Sequence, residues 1–151
     1  MPRHSESRVL PYTAQQMYDL VADVGSYPDF LPWTAAARIS SREDRGDTEV
    51  LLADLVISFK VFRESFGSRV VLHPDERRIE TEYLDGPFRH LQSEWSFEDV
   101  PEGCRVAFWV EFEFRNRMLG RVIGTVFDQA MRRVVAAFEA RAAKLYGTGA
   151  A

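Results

Sequence analysis

RVAFWVEFEFRNRMLGRVIGTVFDQAMRRVVAAFEARAAKLY, residues 105–146, changes its hydrophobic period once, at Asn116, and that change decides the fold. Up to Arg115 the period is two. Val106, Phe108, Val110, Phe112 and Phe114 point one way, and Arg105, Ala107, Trp109, Glu111 and Glu113 the other, as in a strand with one buried face. Beyond Asn116, a plausible N-cap, the period becomes helical and holds from Arg117 to Tyr146, where Gly147 closes it. Such a helix is about 45 Å long at 1.5 Å per residue, enough to cross a sheet. Steps of 100° gather Leu119, Val122, Ile123, Val126, Phe127, Ala130, Met131, Val134, Phe138, Ala142 and Leu145 into one apolar arc. Arg121, Asp128, Arg132 and Glu139 lie opposite.

Upstream, Thr13-x-x-Gln16 is a capping box with Tyr12 and Met17 as its staple, predicting a helix over Ala14–Ala22. SYPDFLPW (26–33) reads as a one-turn helix capped by Ser26 and ended by Pro32. Period-two runs recur at about 36–43, 48–59, 63–72, 77–84 and 88–98. Most are separated by turns such as Asp85-Gly86-Pro87 and Pro101-Glu102-Gly103, with the join near Lys60–Phe62 lacking turn residues. Short connections join antiparallel neighbours, so the strands form a meander. The expectation is one α+β domain spanning 1–151, a curved antiparallel sheet wrapped around the long C-terminal helix in the helix-grip arrangement.

Composition narrows the function classes. Of 151 residues 46% are hydrophobic, which excludes a disordered chain, and 28% are charged, which excludes a membrane-embedded one. The single cysteine, Cys104, excludes a disulfide framework and reads as structural. The N-terminal residues have no secretory apolar region, so a cytoplasmic protein is expected. The net charge of −4 does not favour DNA. Charge is uneven, however. Residues 115–144 carry seven basic groups against Asp128 and Glu139, while 75–102 carry nine acids against three arginines. The basic helix face, with Arg117, Arg121, Arg132 and Arg133, is either a solvated face or a contact for RNA, a ribosome or anionic lipid.

No catalytic set emerges. His4, His73 and His90 lie in separate segments without metal-ligand spacing, and no nucleophile elbow, P-loop or dinucleotide fingerprint is present. Glu111 and Glu113 belong to the face opposite the apolar stripe and read as solvated. Gly120 and Gly124 sit on the apolar arc, each costing about 1 kcal/mol relative to alanine. They serve close helix–sheet packing, a frayed first turn, or a void for a ligand. Arg141 projects near the centre of the arc, either reaching water past the sheet or placing charge near a cavity.

LPYTAQQMYDLVADVGSYPDFLPW, GPFRHLQSEWSF and the ending FEARAAKLYG resemble the coenzyme Q-binding family of START-like proteins, over about Ser7–Gly147. That family belongs to the polyketide cyclase/dehydrase superfamily, which also includes a bacterial ribosome-association toxin branch. Its members often have Cys after LPW; here Thr34 stands there, so no thiol role carries over. The resemblance implies a cavity between sheet and helix for a prenylated quinone such as ubiquinone, carried without catalysis in support of respiration and requiring no cofactor or metal.

In the leading reading Val106, Phe108, Val110, Phe112 and Phe114 form one cavity wall. Val122, Ile123, Val126, Phe127, Met131 and Val134 form the other, with Gly120 and Gly124 giving space. Tyr27, Phe30, Leu31, Trp33, Pro87 and Phe88 form the mouth, in peripheral contact with an inner membrane. The alternative is a partner on the large ribosomal subunit, met by the basic helix face. A cyclase or dehydrase comes third, because no convergent acid–base pair is visible.

Overall fold

The computed structural model describes residues 3–59 and 62–147, apart from the side chains of Phe59, Phe62 and Leu119. The elements run β1 (Arg3–Leu10), α1 (Ala14–Ala22), a 3₁₀ turn (Val24–Asp29), β2 (Thr34–Asp44), β3 (Glu49–Phe59), β4 (Phe62–His73), β5 (Arg78–Asp85), β6 (Phe88–Val100), β7 (Gly103–Phe114) and α2 (Arg117–Tyr146). All strand pairs are antiparallel, in the order β1-β7-β6-β5-β4-β3-β2. This is an α+β helix-grip fold, a curved sheet around one long helix. The meander holds from β2 to β7. The join expected near Lys60–Phe62 falls largely outside the described residues, although Phe59 and Phe62 pair across it.

The seventh strand corrects the sequence reading. Arg3–Leu10 pairs with β7 along its length, from Arg3↔Glu111 to Leu10↔Cys104, yet RHSESRVL shows no apolar alternation. An edge strand needs few apolar residues, and only His4 and Leu10 are buried here. Polar side-chain contacts tie the strand to α2 instead. His4 Nδ1 lies 3.0 Å from Asp128 and Nε2 2.8 Å from Glu6, while Arg8 donates to Glu6 at 2.9 Å and to Glu139 at 2.8 Å. Asp128 and Glu139, which lie opposite the apolar arc, are thus the helix side of this seam.

The helix ends follow their caps. Gln16 N–H donates to Thr13 Oγ1 at 3.0 Å and Thr13 N–H to Gln16 Oε1 at 2.9 Å, so the capping box is complete. At α2, Met118 N–H donates to the Asn116 side chain at 3.0 Å, and Gly147 ends the helix at φ 83°. Ser26 does not cap the 3₁₀ turn. Its hydroxyl donates to Asp23 at 2.6 Å, and the turn begins at Val24, three residues earlier than a Ser26 cap implies.

One continuous core cluster runs from α1 to mid-sheet, with Trp95 stacked on Phe97 between its two ends. At one end α1 buries Met17, Tyr18, Leu20 and Val21, with Tyr18 edge-on to Phe97 at 6.2 Å. The end of α2 is pinned there too, by Tyr12 Oη donating to Gly147 O at 2.9 Å and Tyr146 Oη to Gln16 O at 3.2 Å. At mid-sheet, Phe138 of α2 meets Trp95, Tyr27 and Phe30 with centroids 5.1, 5.4 and 5.3 Å away. The apolar arc is narrower than the sequence implied. Val122 and Leu145 are 59% and 51% exposed, whereas Phe127, Phe138 and Ala142 are buried.

Candidate functional site: an apolar cavity between sheet and helix

Between the curved sheet and α2, the aromatic contacts that hold the helix leave space. A cavity of about 310 Å³ lies there, within the size range of small-molecule sites. Phe108, Val110, Phe112 and Phe114 of β7 form its floor. Ile123, Val126, Phe127, Met131 and Val134 line the helix side, joined by Ala130 and Phe138. Phe127 and Phe112 meet at 4.3 Å, and Phe88 stacks on Phe114 at 4.8 Å. Tyr27, Leu31, Trp33, Pro87 and Phe88 line it from the loops, with Pro32 and Thr34 beside them.

Five of the expected residues lie elsewhere. Val106 shares the inward face of β7 but pairs with Phe97 under α1, so it belongs to the core beneath that helix. Phe30 packs on Tyr27 and Phe138, behind the lining. Val122 sits roughly 140° around the helix from Phe127 and faces solvent. The glycines neither pack closely on the sheet nor line the cavity. A methyl at Gly124 would meet nothing within 4 Å, and one at Gly120 would touch only Phe114 Cβ at 3.8 Å. Gly124→Ala is therefore expected to stabilise the protein by about 0.5–1 kcal/mol without changing ligand binding. A rise of about 2 °C in a thermal melt would register it; a fall would mean that the position needs its missing side chain.

The sequence reading missed the far wall. Leu55 and Ile57 of β3, Phe66 and Glu64 of β4, Thr81 of β5, and Leu91, Ser93 and Trp95 of β6 complete the lining. Their signal was parity. Thr81 follows buried Ile79 by two, and Ser93 lies between Leu91 and Trp95, so each hydroxyl shares the face of its apolar neighbours. Thr81 and Ser93 are also direct cross-strand partners. Among the described residues neither hydroxyl has a hydrogen-bond partner.

The other polar groups nearby are engaged. Tyr27 Oη donates to Val21 O, and burial pushes the phenol's pKa well above its ordinary value, so it stays neutral. Trp33 adopts a left-handed backbone at φ 62°, a conformation that costs a non-glycine residue about 1–3 kcal/mol. Among the contacts there, Ser58 N–H donates to Trp33 O at 2.8 Å, and the Arg133 guanidinium lies 5.4 Å above the ring. Arg141 is not in the lining. Its guanidinium lies 5.2 Å above Phe30, and its buried Nε has no hydrogen-bond partner. Arg117, Arg121 and Arg132 are exposed.

Outside the cavity, Glu111 meets His90 at 3.0 Å and Trp109 donates to Glu94 at 3.0 Å on the opposite sheet face. Among the described residues no three His, Cys, Asp or Glu side chains cluster as a metal site. No described helix is long and apolar enough to cross a membrane.

A sheet gripping a helix over an apolar cavity defines a START-like protein. The family model for polyketide cyclase/dehydrase and lipid transport proteins matches residues 10–139, and the chain belongs to that family. It is 36% identical to the ribosome association toxin RatA of Rickettsia prowazekii, covering 90% of this chain and 92% of that one. It is 33% identical to the mitochondrial coenzyme Q-binding protein COQ10 homolog B of Xenopus laevis, covering 95% of this chain and 59% of that one. Among solved structures, the 18 kDa protein of Caulobacter crescentus is 37% identical with a TM-score of 0.83, covering 97% of this chain and 99% of that one.

Proposed function

We propose that the protein binds a long apolar molecule carrying hydrogen-bond acceptors, most simply a prenylated quinone such as ubiquinone, and carries it without chemical change. One observation carries the reading: a largely apolar cavity presents two adjacent hydroxyls, Thr81 and Ser93, that the described protein leaves unpartnered. A quinone carbonyl would accept from them, and an isoprenoid tail would lie along Phe112, Phe127 and Ile123. The likeness to a coenzyme Q-binding protein supports this ligand class. The family's description includes cyclases and dehydrases, but the described lining offers one carboxylate, Glu64, and no histidine as a partner for acid–base work.

Lipid extraction of the purified protein followed by mass spectrometry tests the reading, with added ubiquinone titrated against Trp95 fluorescence. Absence of quinone together with no binding on titration would end it. Thr81→Val combined with Ser93→Ala is expected to weaken quinone about tenfold, since each hydrogen bond contributes about 0.5–1.5 kcal/mol. A hydrocarbon of the same chain length should bind both forms equally.

A second reading, association with a ribosome, is favoured by the likeness to RatA and by exposed Arg117, Arg121 and Arg132. It requires salt-sensitive co-sedimentation with ribosomal particles.

A further inference from the structure

We infer that the first three turns of α2 dock on a bilayer surface bearing anionic headgroups, which brings the cavity opening to the lipid phase. The inference rests on the cavity holding a lipid-soluble ligand. Met118, Val122 and Val126 are 76%, 59% and 37% exposed and follow one another at four-residue spacing, so they form one stripe on the outside of the helix. Val126 belongs both to this stripe and to the cavity lining, so the stripe runs directly into the site.

Charge supplies the second half of the argument. Residues 115–127 carry three arginines and no acid. Among the described residues Arg117 and Arg121 have no carboxylate partner, whereas Arg8 and Arg78 are each held by several. Arg115 instead donates to Phe88 O at 3.0 Å, tying the basic segment to the loop that lines the cavity. The headgroup region of a bilayer accepts exposed apolar side chains and arginines together. A nucleic-acid backbone would use the arginines but gain nothing from Met118 and Val122. With a net charge of −4 and the acidic excess at 75–102, the molecule would also be oriented with α2 toward an anionic surface.

The full chain is sedimented with vesicles of phosphatidylcholine and with vesicles of equal parts phosphatidylcholine and phosphatidylglycerol. Two variants accompany it, Met118→Asp with Val122→Asp, and Arg117→Glu with Arg121→Glu. Ubiquinone binding without vesicles and the far-UV circular dichroism of each are measured in parallel. The wild type should bind only the anionic vesicles, and each variant should lose roughly thirtyfold or more while keeping its fold and its quinone affinity. Equal binding to both vesicle types overturns the inference, as does an aspartate variant that binds like the wild type. So does arginine-dependent co-sedimentation with ribosomal particles that ignores Met118 and Val122 in a protein without vesicle affinity. If vesicle binding behaves as expected but quinone does not bind, the cavity reading falls and the docking surface stands.

Discussion

Gly103→Ala is expected to destabilise the fold by about 3 kcal/mol or more, the largest effect of a methyl added at any of the described glycines. Gly103 opens β7 at φ 141°, a backbone conformation that L side chains rarely adopt. An added Cβ would lie 2.1 Å from Leu10 O and 3.0 Å from Pro11 Cα. Both neighbours are backbone, so no side-chain rotation relieves the overlap. Relief must come from moving the end of β1, where Leu10 pairs with Cys104, and with it the entry to α1. For a domain of this size the melting temperature should fall by about 6–12 °C. Gly46→Ala separates strain from overlap, since φ there is 89° and nothing lies within 4 Å; it should cost only about 1 kcal/mol. Cys104 gives a local readout. It is fully buried, and burial pushes its thiol pKa up, so alkylation of the native protein should be slow. Gly103→Ala should speed that alkylation, and equal rates in the two proteins would mean that this corner of the sheet had absorbed the methyl.

The same corner shows how far the sequence alone reaches. β7 and α2 were legible because their apolar residues repeat at two and at about 3.6 positions, and both periods reflect a single buried face. β1 was not, because an edge strand held by His4, Arg8 and their carboxylate partners leaves no hydrophobic rhythm. The cavity was legible as a class and only partly as a residue set. Periodicity says which face a residue occupies, not how far along the sheet the helix departs from it. Val106 and Phe108 therefore read alike, though one lies under α1 and the other under open space. Val122 was drawn into the arc by its chemistry, and its exposure became visible only once the helix was oriented. Thr81 and Ser93 carried the right parity but were passed over, because a hydroxyl between apolar neighbours is ordinary in a strand. Their meaning depends on facing each other across β5 and β6, and pairing register is a tertiary fact.

Ala130→Trp separates a function of the cavity from a function of the surface. Ala130 lines the cavity from α2 and is only half-buried, so a larger side chain there has empty volume to enter. An indole in that space would sit against Phe127 and Val134 and occupy ground the ligand needs. Quinone affinity is expected to fall at least about a hundredfold, which corresponds to about 2.7 kcal/mol. Stability should change little. Filling a void restores contacts worth about 24 cal/mol per Å³, and this gain opposes the strain of fitting the larger ring. A melting temperature within about 3 °C of the wild type, beside the lost affinity, is the expected pair of results. Ala136→Trp is the control, because Ala136 lies on the exposed side of the same helix and should leave both quantities unchanged. Unaltered quinone binding in Ala130→Trp would place the ligand outside the cavity. Co-sedimentation of the same variant with ribosomal particles should match the wild type if arginines on the outer face make that contact, since Ala130 is not on it. Loss of both activities together would instead couple ribosome association to the occupied cavity, making the ligand a condition for the partner.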